Sequence, residues 1–359
     1  MFGVKLERAP APIWQRGLIP LIAVLVTFLL VSLLILTTGA HPGETFFELL
    51  INPLTKTTGR AEVLVQATPL LLTGVAVAFA FVGGYYNIGA EGQLYAGALA
   101  AAWLGPQMEG QSPVIAILVM LVAGFIAGAL WALPPALLKV RLGIDEVVTT
   151  LLLNSVMLFI VSALLNGPWR DPISQWPQSP TIAVSAQFPQ LIPRSRVHLG
   201  ALLAVIALAL LWWLVTRTRL GLEMRATGVG REAARFMGVR VGRVMLTVAL
   251  ISGGIAGIAG VSEVGGIHYH LIEGISPGYG YTGIIIATLG GLTAWGVGLA
   301  ALFLALIDTG ALSASRALDI PVYLGDIIQA VLLLVSLAAL LLTGYRLRRR
   351  SDGWKTSQL

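Results

Sequence analysis

Residues 217–243, RTRLGLEMRATGVGREAARFMGVRVGR, form a strongly charged run with an apolar, membrane-length segment on either side. The run carries seven Arg and two Glu. Hydrocarbon excludes such a run and favours its flanks, so the chain must enter a membrane both before and after it. The Arg excess puts the run on the cytoplasmic side. Residues 223–226 and 231–236 read as short helical pieces. Gly228, Gly230 and Gly238 read as breaks, because glycine adopts backbone conformations that other residues resist. Two readings of the run stand side by side: a surface that another protein grips, or a solvated loop whose charge only fixes topology.

Composition agrees. The 359 residues are 57% hydrophobic and 11% charged, which excludes an ordinary soluble domain and points to an all-α polytopic membrane protein. There is no Cys, hence no disulfide framework, thiolate metal site or Cys nucleophile. The net charge of +6 is concentrated in the run above and in the C-terminal tail, a pattern of membrane topology and not of nucleic-acid binding. None of the four Lys follows a Gly, so a Walker A phosphate loop is absent.

Taken in order, residues 1–17 are a short basic cytoplasmic leader. Residues 18–38 are an uncharged run of 21, too long for a signal-peptide core of about 7–15 and so read as a retained span. Further spans are expected at 61–82, 85–104, 113–140, 147–166, 198–216, 244–264 and 324–343. Pro134 and Pro135 should kink or end the fourth. Residues 281–311 would make a helix of about 46 Å, against a hydrocarbon core of about 30 Å. Gly290, Gly291 and Gly296 interrupt them, so they read as two short segments, one of them a candidate re-entrant piece. That gives about ten crossings in a single transmembrane domain, 1–359. Both termini are inside, with the basic tail 344–359 (Arg346, Arg348, Arg349, Arg350, Lys355) on the face of the Arg run. The longest outer loop, 167–197, is rich in Pro and Trp. Gly253 and Gly257 form a GxxxG, read as helix packing.

The third span begins YYNIGAEGQLYAG, so Asn87, Glu91 and Gln93 must enter the membrane. On a helix, Asn87, Glu91 and Tyr95 would share a face at i, i+4 and i+8 and could hydrogen-bond a polar solute. The alternative is that Glu91 satisfies backbone amides at a broken helix start, near its positive end. Thr150 and Asn154 are likewise spaced i, i+4, as glue between helices or as the lining of a path. Glu263, Asp308 and Asp326 lie near span ends, where each can reach water. His268 and His270 lack convergent partners for a metal site, and no catalytic grouping stands out.

Four stretches together resemble a known family: FVGGYYNIGAEGQLYAGALAAAW at 81–103, LLLNSVMLFIVSALLNGPWRDP at 151–172, RATGVGREAARFMGV at 225–239, and GYGYTGIIIATLGGLTAWGVGLAALFLALIDTGA at 278–311. They resemble permease subunits of bacterial ABC importers in the branched-chain amino acid/ribose permease superfamily, and are most similar to its nucleoside branch. Gly291 departs from that branch, where a more polar or basic residue is expected. The resemblance implies a non-enzymatic subunit of the bacterial inner membrane, without a cofactor of its own. It would pair with a second permease (the same chain or a sister), two ATP-binding cassette subunits and an external solute-binding protein. It also implies that the Arg run couples to the ATPase through Glu223, Arg225, Ala226, Gly228, Arg231, Ala233, Ala234 and Gly238. The translocation path would include Asn87, Glu91, Gln93, Tyr95 and Asn154, with Phe79, Phe81, Tyr85, Tyr86 and Tyr95 as candidates to stack a base. A sugar or branched-chain amino acid is the alternative cargo, and a proton-coupled secondary transporter the alternative class.

Overall fold

The computed structural model describes residues 4–8, 13–37, 39–321, 323–343 and 345–349. Of the leader and tail, residues 1–3, 9–12 and 350–359, with Arg350 and Lys355, lie outside the described residues, as does Thr38.

The described residues form twelve principal helices: α1 (Ile13–Thr37), α2 (Thr57–Val82), α3 (Ala90–Leu104), α4 (Pro113–Leu137), α5 (Glu146–Leu165), α6 (Leu199–Arg217), α7 (Arg219–Val229), α8 (Arg231–Phe236), α9 (Val241–Glu263), α10 (Tyr279–Leu289), α11 (Ala294–Leu318) and α12 (Leu324–Thr343). Six of them, α2, α4, α5, α6, α9 and α11, are long and apolar enough to cross a membrane. Shorter apolar stretches lie within α1, α10 and α12. With α3, of 15 residues, they make the ten expected segments of an all-α polytopic membrane protein. Caps set several boundaries. The Ser112, Asp145, Thr218 and Thr293 side chains accept backbone N–H bonds at the starts of α4, α5, α7 and α11.

The helices fall into two compact units, Gly43–Gly325 and Met1–Pro42 with Asp326–Leu359. In the larger unit α2 is central: 89% of its apolar window is buried, against 22% for those of α5 and α6. It packs on α6, α9, α10 and α11, while α9 also packs on α3 and α4. The small residues of α9 make that packing close, as the GxxxG spacing predicts. A methyl group on Gly257 would stand 2.2 Å from the Gly124 carbonyl oxygen of α4, so the two backbones touch with no room for a side chain. The outward faces of α4 and α5 expose Leu118, Val122, Leu130, Leu152 and Phe159, as lipid-facing surfaces do. In the smaller unit, strands Val4–Arg8 and Tyr345–Arg349 pair antiparallel, Val4 opposite Arg349 and Arg8 opposite Tyr345.

Several expectations need correction. The third helix starts at Ala90, not at 85, because Tyr85–Gly89 leave the helical path. Residues 281–311 do not form two short segments. The chain breaks at Gly290–Gly291, but α10 has 11 residues and α11 a full 25. Gly296 lies inside α11, where Thr293 caps the helix. Gly228 lies inside α7, and the break falls at Gly230. The fourth span passes Pro134 and Pro135 and ends its regular α-helix at Leu137. Glu263 does not reach water but is 3% exposed, because the outer loop folds over its end, with Phe188 N–H donating to Gly265 O at 2.8 Å.

Candidate functional site

Between α2 and α3 the chain crosses the packed interior without helical hydrogen bonds, so its polar backbone groups must find other partners. Side chains supply them. Thr150 Oγ accepts from Ile88 N–H at 3.2 Å. Asn154 Nδ2 donates to Ile88 O at 2.9 Å, and Asn154 Oδ1 accepts from Gly92 N–H at 2.9 Å. The same amide donates to the Tyr281 hydroxyl at 3.3 Å, which ties α5 to α10. Asn154 therefore ties α5 both to the interruption and to α10.

Asn87 is fully buried and precedes α3, so it does not share a helical face with Glu91 and Tyr95. Its amide donates to Gln93 Oε1 at 2.8 Å and to Ser252 Oγ of α9 at 2.9 Å, while its carbonyl accepts from Gly89 N–H and Gln93 Nε2, each at 3.0 Å. Glu91 and Tyr95 face the other way, toward residues 273–280. The Tyr95 hydroxyl donates to Glu273 O at 2.6 Å. Glu91 Oε2 accepts from Gly280 N–H at 2.6 Å, and the Ser276 hydroxyl bonds the same carboxyl. Glu91 is in the first turn of α3, and Gly280 is in the first turn of α10. One carboxyl thus serves two helix N-termini, whose partial positive charges favour it. It does bind a backbone amide at a helix start, but that of the partner helix.

Of the aromatic candidates, Phe79, Tyr85 and Tyr95 are buried, whereas Tyr86 is half exposed and meets Phe81 edge-on at 5.2 Å. His268 approaches Glu263 at 3.8 Å, and no group of three metal-ligating side chains converges among the described residues.

The Arg run folds as α7 and α8, joined at Gly230. Arg219 pairs with Glu223 one turn on, at 2.9 Å. Arg225 and Ala233 are exposed, Ala226 is half-buried, and Ala234 is fully buried. Gly228 is exposed on one side and lies against the end of α2 on the other: a methyl group there would lie 2.4 Å from Val82 O. Gly238, at φ +83°, turns the chain toward α9. The Arg231 guanidinium also turns inward, donating to Gly84 O at 2.7 Å and to Glu146 at 3.2 Å. Lys139 pairs with the other oxygen of Glu146. Sequence reasoning missed Glu146, and it missed the apolar tip of the loop: Val229, Phe236 and Met237 are 93%, 97% and 69% exposed. The available signal was large apolar residues placed beside the glycine breaks of a charged run.

A helical membrane domain with an interrupted, internally bonded helix and a water-facing loop packed on the interruption belongs to the transporter class. The family described as branched-chain amino acid transport system / permease component matches residues 59–337, and the chain belongs to it. It is similar to a glucose ABC transporter permease protein of Haloferax volcanii, 35% identical over 94% of this chain and 92% of that protein. It is also similar to a guanosine ABC transporter permease protein of Bacillus subtilis, 34% identical over 88% and 92% of the two chains. A nucleoside ABC transporter permease protein of Lactococcus lactis is 29% identical over 83% and 84%. The chain is thus an ABC transporter permease of this superfamily.

Proposed function

We propose that this permease imports nucleosides by alternating access, driven by two separate ATP-binding cassette subunits. It holds no cofactor of its own and sits in a bacterial cytoplasmic membrane as a single permease domain. A second permease, identical or a sister, completes the path, and an external binding protein delivers the solute. Both termini face the cytoplasm, a reading supported by the pairing of Val4–Arg8 with Tyr345–Arg349 and by the Arg content of the loop and tail.

The observation that carries the docking role is the exposed tip. Phe236, Val229 and Met237 are exposed at the ends of two short helices, α7 packed on the end of α2 through Gly228 and α8 packed on α7 and α9. Large apolar side chains held out on a rigid support are the surface a partner protein buries. Glu223, Arg225, Ala226, Gly228, Arg231, Ala233, Ala234 and Gly238 either border that surface or hold it in place. Asn87, Glu91, Gln93, Tyr95 and Asn154 frame the interrupted helix that lies along the path, and the bonds they make are the ones that rearrange as the path opens.

The guanosine and nucleoside permeases among the relatives support the cargo. A hexose is the second reading, favoured by the glucose permease of Haloferax volcanii. Copurification of the chain from its native membrane, followed by a ligand screen of the binding protein that accompanies it, separates them. Nucleoside binding is expected. Hexose binding with no nucleoside binding overturns the cargo, and a chain that purifies alone overturns the ABC assembly.

A further inference from the structure

We propose that Arg231 and Glu146 form a positioning pair that hitches the water-facing loop to the interruption between α2 and α3, so that displacement of α8 is passed into residues 84–89. Arg231 opens α8, and its Nη2 makes a fork of two contacts, donating to the Gly84 carbonyl and to Glu146. Glu146 opens α5, is 2% exposed, and has its second oxygen held by Lys139. The fork therefore joins three elements at one point.

The surroundings leave little slack. Gly84 has φ +70°, and a methyl group on it would sit 3.0 Å from Gly228 Cα, so the end of α7 rests directly on the turn. Downstream, the two backbone groups of Ile88 are bound by Thr150 and Asn154. With Glu146 these lie at i, i+4 and i+8, one buried stripe along α5. The interrupted segment is thus held at its start by the loop and along its length by the helix that the loop's own arginine also grips. A shift of α8 with Arg231 attached draws on the Gly84 carbonyl and on the first turn of α5 together. Methionine at this position would keep a long side chain but offer no donor to either acceptor.

The functional consequence rests on the import reading, while the mechanical link does not. The absence of cysteine allows both to be tested in the full-length chain. Spin labels at Glu232→Cys and Tyr86→Cys, both exposed positions, report the distance between α8 and the interruption. In the purified chain, Arg231→Met and Glu146→Gln are each expected to broaden that distance distribution. In native host cells, each is expected to lower uptake of radiolabelled guanosine about tenfold while the ATPase subunit still copurifies. The double variant is expected to be no worse than the poorer single one, as for two halves of one contact. Distributions as narrow as the parent's, independent additive losses, or wild-type uptake despite broadening would overturn the pair. So would loss of the ATPase from Arg231→Met, which would make Arg231 a docking contact. If the parent chain takes up no guanosine, the cargo is wrong, and the label distances still decide the pair.

Discussion

Replacing Glu91 separates its two possible roles. Its carboxyl accepts from the buried Gly280 N–H at 2.6 Å and stands at the N-termini of both α3 and α10. Glu91→Ala removes a charge-assisted hydrogen bond worth about 1.5–3 kcal/mol and strands a donor where water does not reach. Loss of the favourable helix-end electrostatics adds roughly 0.3–1 kcal/mol per end. Against this, burying a carboxylate is itself costly, so the net loss is set near 3 kcal/mol. Glu91→Gln keeps the shape and an acceptor for Gly280 and sheds the cost of burial, so its loss should stay near 1 kcal/mol. The gap between the two variants, about 2 kcal/mol, corresponds to a difference of about 3 °C in melting temperature. Thermal unfolding of the detergent-solubilised chain, read by size exclusion, measures it. Equal melting of Gln, Ala and parent would refute the anchor argument. Loss of uptake in Glu91→Gln with unchanged melting would make Glu91 a contact of the solute.

Four further outcomes follow from the geometry. Gly257→Val should abolish recovery of folded chain, since its first carbon would lie 2.2 Å from Gly124 O; expression of a monodisperse species checks this. Phe236→Ser, at a position 97% exposed, should leave melting unchanged and cut recovery of the ATPase subunit in a pull-down. Asn154→Ala should cost about 1–3 kcal/mol for each backbone group it strands at Gly92 and Ile88, and so should lower melting more than Asn166→Ala at the exposed end of α5. In the outer loop, the Ser174 hydroxyl and the Ile173 N–H hold the Asp171 carboxyl below its usual range. A depressed folded pKa means that the turn is favoured at neutral pH and loses that support only as pH falls below the usual Asp value of about 3.9. The protection of the Ile173 and Ser174 amides against exchange, relative to their intrinsic rates, should therefore fall below that pH, and Asp171→Asn should remove the dependence.

The ten segments and the break at Gly290–Gly291 were legible because hydropathy and glycine act locally. The start of α3 was not. Whether Tyr85–Gly89 is helical depends on Thr150 and Asn154, more than sixty residues away, which bind Ile88 in place of a helix ladder. The unequal halves of 281–311 were within reach, since Thr293 ahead of an apolar run is a capping signal. Glu263 was misjudged because distance from a span end says nothing of a loop that folds back over it.

The Arg run shows where charge stops being informative. Its seven arginines select a side of the membrane, and any of them serves that purpose equally. Contact is a separate matter, decided by geometry. Arg231 is committed to Gly84 and Glu146 within the chain, and the exposed Arg219 to Glu223, whereas the most exposed large apolar side chains of the loop are Val229, Phe236 and Met237. A partner meeting this face therefore buries apolar tips ringed by cations. Its affinity should depend weakly on salt, because the area removed from water, and not the ion pairing, provides most of the attraction. A pull-down that retains the ATPase subunit from 0.1 M to 0.5 M NaCl but loses it with Phe236→Ser supports that division. Dissociation by salt, with Phe236→Ser harmless, would return the arginines to the interface.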